Sequence, residues 1–239
     1  MVPFLFPNKY KLILTCEHAN NLVPKELKKN FLPYHDLLNT HWGYDIGALD
    51  LANSLKKMAD FHQFAKYSRL VIDLNRSLHH RNAFSFITKN LASTMKEMIM
   101  VKYYEPYRKK VFSTIADFIQ NDFFVLHLSI HSFTPIFKQK ERNCDIGLLY
   151  DPTHLLEAQF CRSLKQQLMK INFALRIRLN YPYTGKADGF TSFLRKKFLN
   201  NYIGIEIEMN QKIFIKKDLV KCNINDNLLK GLQTMLEQN

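Results

Sequence analysis

Six short apolar runs limit the folds open to this chain more than any other feature. They are KLILTC (11–16), RLVIDL (69–74), FFVLHLSI (123–130), DIGLLY (145–150), ALRIRL (174–179) and YIGIEIEM (202–209). Each reads as a buried strand. Longer segments with helical spacing lie between them. In 45–58, Ile46, Leu49, Ala52 and Leu55 make one stripe. Residues 91–120 form a helical tract that Pro106 is expected to break, and 154–170 and 218–236 form two more. Strands that alternate with helices predict an α/β fold around a parallel or mixed sheet. Proline and glycine occur singly, and there is neither a repeat nor a low-complexity block, so residues 1–239 read as a single domain.

In open α/β sheets, ligands sit beyond the carboxyl ends of the strands. The residues just after each run are therefore informative. They are Cys16-Glu17-His18-Ala19-Asn20-Asn21 after the first, Asp73-Leu74-Asn75-Arg76 after the second, His131-Ser132-Phe133 after the third, and Glu206-Ile207-Glu208-Met209-Asn210 at the end of the last. His18 and His131 are the leading candidates for metal ligands. A neutral imidazole suits zinc, and a catalytic zinc needs about three protein ligands and an open position. His127, four residues before His131, shares its side of the strand. Asp45, in HWGYDIGALDLA, is the first choice for a third ligand, with Asn21 and Glu17 as alternatives. Arg76 can grip a carboxylate through two parallel hydrogen bonds, with Asn75 beside it, and Arg69 and Arg81 are less favoured neighbours. Arg142, in ERNCDIG, is a further cation for the same cleft. Glu206 and Glu208 share one strand face, where one of them serves as a general base or both face water. Around 180–200, LNYPYTGKADGFTSFLRKKF reads as a loop over the site, with Gly185 and Gly189 as its pliable points.

The formal net charge of +13 favours anionic partners, whether nucleic acid, an anionic membrane or a small carboxylate. The basic clusters are short and scattered, and no zinc-finger or RNA-binding signature accompanies them, so a nucleic-acid partner is not expected. There is no glycine-rich phosphate loop and no GxSxG elbow. The four cysteines form no CxxC pair and suggest no disulfide framework. MVPFLFPNKYKL lacks the layout of a signal peptide, and no apolar stretch is long enough to span a bilayer, so the cytoplasm is the expected compartment.

Seven segments in order, TCEHANNLVP, HWGYDIGALDLA, YSRLVIDLNR, LSIHSFTP, ERNCDIGLLY, YPYTGKADGFT and IGIEIEMNQ, resemble the N-formylglutamate amidohydrolase family. The resemblance runs over about 12–215. It implies kinship with the zinc carboxypeptidases and the succinylglutamate desuccinylase and aspartoacylase group. With that kinship comes a phosphorylase/hydrolase-like three-layer α/β/α sandwich around a mixed sheet. It implies hydrolysis of an N-acyl amino acid, in the family N-formyl-L-glutamate, by water activated at zinc or another divalent metal. His18 and His131 are then metal ligands, with Asp45 the inferred third. Asn75 and Arg76 match the Asn-Arg pair that binds the substrate carboxylate. Glu208 is the base, with Glu206 as the fallback by strand parity, and Arg142 assists the oxyanion or a second carboxylate. The chain departs from the family at Asn20, where members often have glycine, and at Asn21, where the carboxypeptidase-like His-x-x-Glu pair has glutamate. It departs again at Asn210-Gln211-Lys212. A carboxylate-binding relative without catalysis is the alternative, and a basic nucleic-acid-binding protein a further one.

Overall fold

The computed structural model describes Pro7, residues 9–215 and residues 223–237. The start MVPFLF and the segment 216–222, with Cys222 and the expected beginning of the last helix, lie outside these residues. The strands are β1 (Tyr10–Cys16), β2 (Phe61–Phe64), β3 (Phe124–Phe133), β4 (Ile136–Phe137), β5 (Lys140–Glu141), β6 (Ile146–Leu149), β7 (Ile177–Leu179) and β8 (Tyr202–Asn210). The principal helices are α1 (Ala48–Leu55), α2 (Ser93–Ile99), α3 (Glu105–Gln120), α4 (Leu155–Ile171), α5 (Phe190–Lys197) and α6 (Ile224–Glu237).

Six strands form one mixed sheet in the order β2-β1-β3-β8-β6-β7, and β4 and β5 make a small hairpin. β2, β1, β3 and β8 run parallel, while β6 pairs antiparallel with β8 and parallel with β7. All ten residues of β3 are buried, as they must be when helices cover both faces of a sheet. On one face Leu126, Leu128 and Ile130 align with Ile203, Ile205 and Ile207 of β8 and with Leu12 and Leu14 of β1. The opposite face carries His127, Ser129 and His131, beneath α3 and α5. There Tyr107 reaches the carbonyl of Gln63, and the Phe190 ring lies 6.3 Å from that of His127. Helices α4 and α6 pack on each other, and α1 packs on α6, β1 and β3. The result is the three-layer α/β/α sandwich with a mixed central sheet. Among the described residues, no helix is long and apolar enough to cross a membrane.

Three local expectations are corrected. RLVIDL is not a strand. Leu70, Val71, Ile72 and Leu74 are buried, but their backbone is folded into turns, with the Val71 N–H on the Ser68 carbonyl and that of Asp73 on Ala83. The sheet takes FHQF as its edge strand instead, and there the half-exposed position lowers the apolar content. Pro106 does not break its helix. A π-helical stretch, Met100–Tyr104, joins α2 to α3, and the proline falls in the first turn of α3, where a missing N–H and the bulk of the ring are tolerated. Finally, residues 190–197 of the expected loop form α5, and the rest is pinned. The Asn180 side-chain oxygen accepts the N–H groups of Tyr150 and Gly185, and Asp188 accepts both the N–H and the hydroxyl of Ser77. A Cβ on Gly185 would lie 2.3 Å from the Tyr150 nitrogen, so this glycine serves a close approach of backbones and not a hinge.

Candidate metal centre and active-site cleft

β1 leads left to β2 at the sheet edge and β3 lies on its other side, so the chain reverses its winding between β1 and β3. A crevice opens at their carboxyl ends at such a point. His18 leaves the end of β1, and its carbonyl accepts the Asp45 N–H at 3.0 Å, which draws the segment before α1 into the crevice. His131 closes the buried polar row of β3. The three side chains converge, each offering a ligand atom within 4.8 Å of the others, and all are buried. Asp45 Oδ2 lies 3.3 Å from His18 Nδ1 and 3.0 Å from His131 Nδ1.

The outer ring nitrogens are held by other groups. His18 Nε2 is 2.7 Å from Asp73 Oδ1. His131 Nε2 is 3.0 Å from Ser129 Oγ and 3.2 Å from Glu17 Oε2, and Ser129 also donates to Glu17 at 2.6 Å. A carboxylate behind each imidazole fixes its ring and leaves Nδ1 facing inward as a lone-pair donor, the arrangement that metal-ligating histidines use. Two imidazole nitrogens and one carboxylate also match the donor chemistry of a catalytic zinc site. The residues present therefore fit a divalent cation.

Without a cation, the carboxylates of the centre hold protons on His131, which a bound metal would displace. Burial opposes ionisation of Asp45, but His18 and Arg69 beside it outweigh that and hold its carboxyl well below the usual range. Asp73 is lowered in the same way, by His18 and Arg69 against burial. Glu17 falls to about 2, its burial overcome by the hydrogen bond to His131, and His131 is raised well above an ordinary histidine, its burial overcome by Asp45 and Glu17. Glu208 behaves differently. Burial pushes it up to about 8, aided by Asp45 and Glu206. It stands opposite His131 in the β3–β8 register, and its Oε2 is buried with no hydrogen-bond partner among the described residues. On this interior strand Glu208 is buried and Glu206 half-buried. Glu206, one step along the same face, accepts the Thr191 hydroxyl at 2.6 Å.

The other candidates divide. Arg76 lines a cleft of about 420 Å³ that also holds Asp45, Arg69 and Asp73, and it donates to the Asp188 carbonyl. Asn75 Oδ1 accepts the Phe190 N–H at 2.7 Å, which ties α5 to this corner. Arg142 is buried among the rings of Phe133, Phe137 and Tyr183 and donates to Thr134, behind residues that line the cleft and not itself among them. His127 shares the His131 face but is engaged at both nitrogens, by Thr15 and Tyr202. Asn21 donates to Asn39 and stands outside the ligand cluster, and Glu17 sits behind His131 and not in front of it. Arg69 gains importance, since it bridges Asp45 at 3.0 Å and Asp73 at 3.2 Å. Asp73 stands out in the sequence only as a polar residue at the end of its run and a partner for Arg76; its contacts with His18 and Arg69 are what the sequence does not reveal.

A three-layer α/β/α sandwich with a His–Asp–His donor set at the carboxyl ends of its strands, and a buried carboxyl beside them, defines a metal-dependent hydrolase of the carboxypeptidase-like kind. The sequence profile of the N-formylglutamate amidohydrolase family matches residues 10–215, and the chain belongs to that family. It is thus a metal-dependent amidohydrolase. Its fold is shared with an Agrobacterium tumefaciens gene product of known structure, at a TM-score of 0.73 and 24% identity over 95% of this chain and 92% of that one. It is shared too with the N-formylglutamate amidohydrolase of Ralstonia eutropha, at a TM-score of 0.71 and 14% identity over 100% of both chains. No curated protein matches the chain in sequence.

Proposed function

We propose that this chain hydrolyses the amide bond of an N-acyl amino acid, with zinc held by His18, Asp45 and His131 and with Glu208 as the base. The observation that carries this reading is the buried oxygen of Glu208, which has no hydrogen-bond partner among the described residues, on the strand beside His131. A divalent ion in the site would supply a Lewis acid that polarises a carbonyl and acidifies water. Glu208 takes a proton from the attacking water and returns one to the leaving amine. Burial raises the Glu208 carboxyl to about 8 in the metal-free centre, and a cation beside it would lower it again, toward the range where it accepts a proton at neutral pH. Glu206 is the alternative base, less suited because the Thr191 hydroxyl occupies one of its oxygens. Arg76 binds the substrate carboxylate, and the side-chain NH2 of Asn75 is the group it has left to hold a second oxygen. Together they orient the amide. Of the two tasks open to Arg142, the oxyanion or a second carboxylate, we assign it the oxyanion. We assign the whole of 1–239 to one catalytic domain, and N-formyl-L-glutamate, the family's own substrate, is the first compound to try. The buried free thiols of Cys16, Cys144 and Cys161 favour a reducing compartment, and we place the enzyme in the cytoplasm.

The test is the metal content of protein purified without added metal or chelator, together with a screen of N-acyl amino acids. About one zinc per chain, lost in a His18→Ala/His131→Ala double variant, with release of a free amino acid, supports the reading. A chain that takes up neither Zn²⁺, Co²⁺ nor Mn²⁺ and turns over none of these compounds is a carboxylate-binding relative instead.

A further inference from the structure

The floor of the cleft is polar and buried, but its rim is not. Trp42 is 53% exposed, Phe137 53%, Tyr183 46% and Phe86 42%, and all four line the same 420 Å³ space. Trp42 and Phe86 meet edge to face, their ring centroids 6.5 Å apart, and Tyr34 packs on the other side of Phe86 at 5.4 Å. This edge is a built surface of braced rings. Trp42 is the chain's only tryptophan and stands three residues before Asp45, so one short segment contributes both to the aromatic rim and to the His18–Asp45–His131 cluster.

The cations of the cleft point the same way. A substrate with two carboxylates needs two positive seats. Arg69 is already neutralised by Asp45 and Asp73, and the Arg142 guanidinium lies against the Phe137 and Tyr183 rings. That leaves Arg76 for the α-carboxylate. Arg81 and Lys89 also line the cleft, but both are exposed, and a fully hydrated cation gives a carboxylate little net attraction. Rings half-exposed in a concave site gain far more from an apolar group that displaces their water.

We propose that the cleft selects N-acyl amino acids whose side chain is aromatic or large and apolar, seated against the Trp42–Phe86 pair, in preference to those with a second carboxylate. This rests on the amidohydrolase reading above and narrows it to a substrate class. Trp42 and Phe86 are specificity-determining residues that contact the substrate and take no part in the proton transfers.

Two measurements separate the failure of this proposal from that of the reading beneath it. The first is kcat/KM of the metal-loaded enzyme for N-formyl-L-phenylalanine and N-formyl-L-glutamate. The expected ratio is tenfold or more in favour of the phenylalanine compound, and Trp42→Ala and Phe86→Ala each shrink that ratio at least fivefold. Equal or better use of N-formyl-L-glutamate, or variants that lower both values alike, overturns the proposal and leaves the amidohydrolase reading standing. The second needs no turnover. Fluorescence of the single tryptophan is titrated with L-phenylalanine and with L-glutamate. A change that saturates at tenfold lower L-phenylalanine than L-glutamate supports the aromatic seat even where neither formyl compound is cleaved. Equal responses, or none, overturn it.

Discussion

His131 and Glu208 stand directly opposite each other on the parallel strands β3 and β8, with their side chains on the same face of the sheet. Neighbouring parallel strands lie about 4.8 Å apart, so the pairing fixes the spacing of His131 and Glu208, the proposed ligand and base, through the backbone itself. On the far side of Glu208 the register places Gly147, where a Cβ would lie 2.0 Å from the Tyr181 carbonyl and 3.3 Å from the Glu208 Cβ. Glycine at this point lets the Tyr181 carbonyl lie close against the strand beside Glu208.

Glu208→Gln keeps the shape of the side chain and removes both its proton affinity and its repulsion with Asp45. Turnover is expected to fall roughly 10²- to 10⁴-fold, with metal content and thermal stability retained. Unchanged turnover at full metal occupancy would remove Glu208 from the base role.

Asp73→Asn and Glu17→Gln weaken the groups that hold the outer nitrogens of His18 and His131. Each is expected to lower metal affinity roughly 10- to 100-fold in competition with a chromophoric chelator. Wild-type affinity in both variants would show that the imidazoles orient themselves without these carboxylates.

His127 carries a pH signature of its own. Burial lowers its pKa to about 4, so the folded state prefers the neutral ring held by Thr15 and Tyr202. Its contribution is complete above the unfolded value near 6.5, is lost as the pH falls from there to about 4, and is flat below. In metal-free protein, wild type should therefore lose roughly 3 kcal/mol relative to His127→Gln across that window, read by urea denaturation at each pH. A constant difference between the two from pH 7 to 4 would contradict it.

Glu157 and Arg195 form a buried ion pair at 2.8 Å that also serves the backbone of Gly204, where Glu157 accepts its N–H and Arg195 donates to its carbonyl. Removing one partner strands a charge beside the buried Gly204 backbone and leaves one of its groups without its bond. Arg195→Ala should cost about 3–5 kcal/mol by chemical denaturation, and a Glu157→Gln/Arg195→Met double variant clearly less. Equal losses in the two would mean that packing, not charge, sets the cost.

The sheet strands that carry the site are legible because β3 and β8 are apolar at every second position and His127, Ser129, His131, Glu206 and Glu208 fall in the gaps. The same reasoning fails at RLVIDL, since apolar content reports burial and says nothing about which backbone groups pair. It misses FHQF because an edge strand has only one neighbour to bury it. Asp45 is reached from the sequence as a first choice among three. What separates it from Asn21 and Glu17 is the hydrogen bond from its own N–H to the His18 carbonyl, a long-range contact with no local signature. The contact of Asp73 with His18 is hidden for the same reason, since the two are 55 residues apart in the chain. The aromatic rim is not legible at all, because Trp42, Phe86 and Tyr183 come from three loops that only the closed fold sets around one space.

The strand order sets the folding timescale. β3 pairs on one side with β1, where Tyr10 meets Phe124, and on the other with β8, where Val125 meets Tyr202. Both pairings close long loops, and their entropy must be given up before any contact repays it. Chains dominated by such distant pairings assemble in milliseconds to seconds, not microseconds. The crevice is walled on both sides by these late contacts. Its three inward-facing donors therefore meet only when the slowest closures are complete, and a bound cation acts as a latch on a chain that has already found its topology.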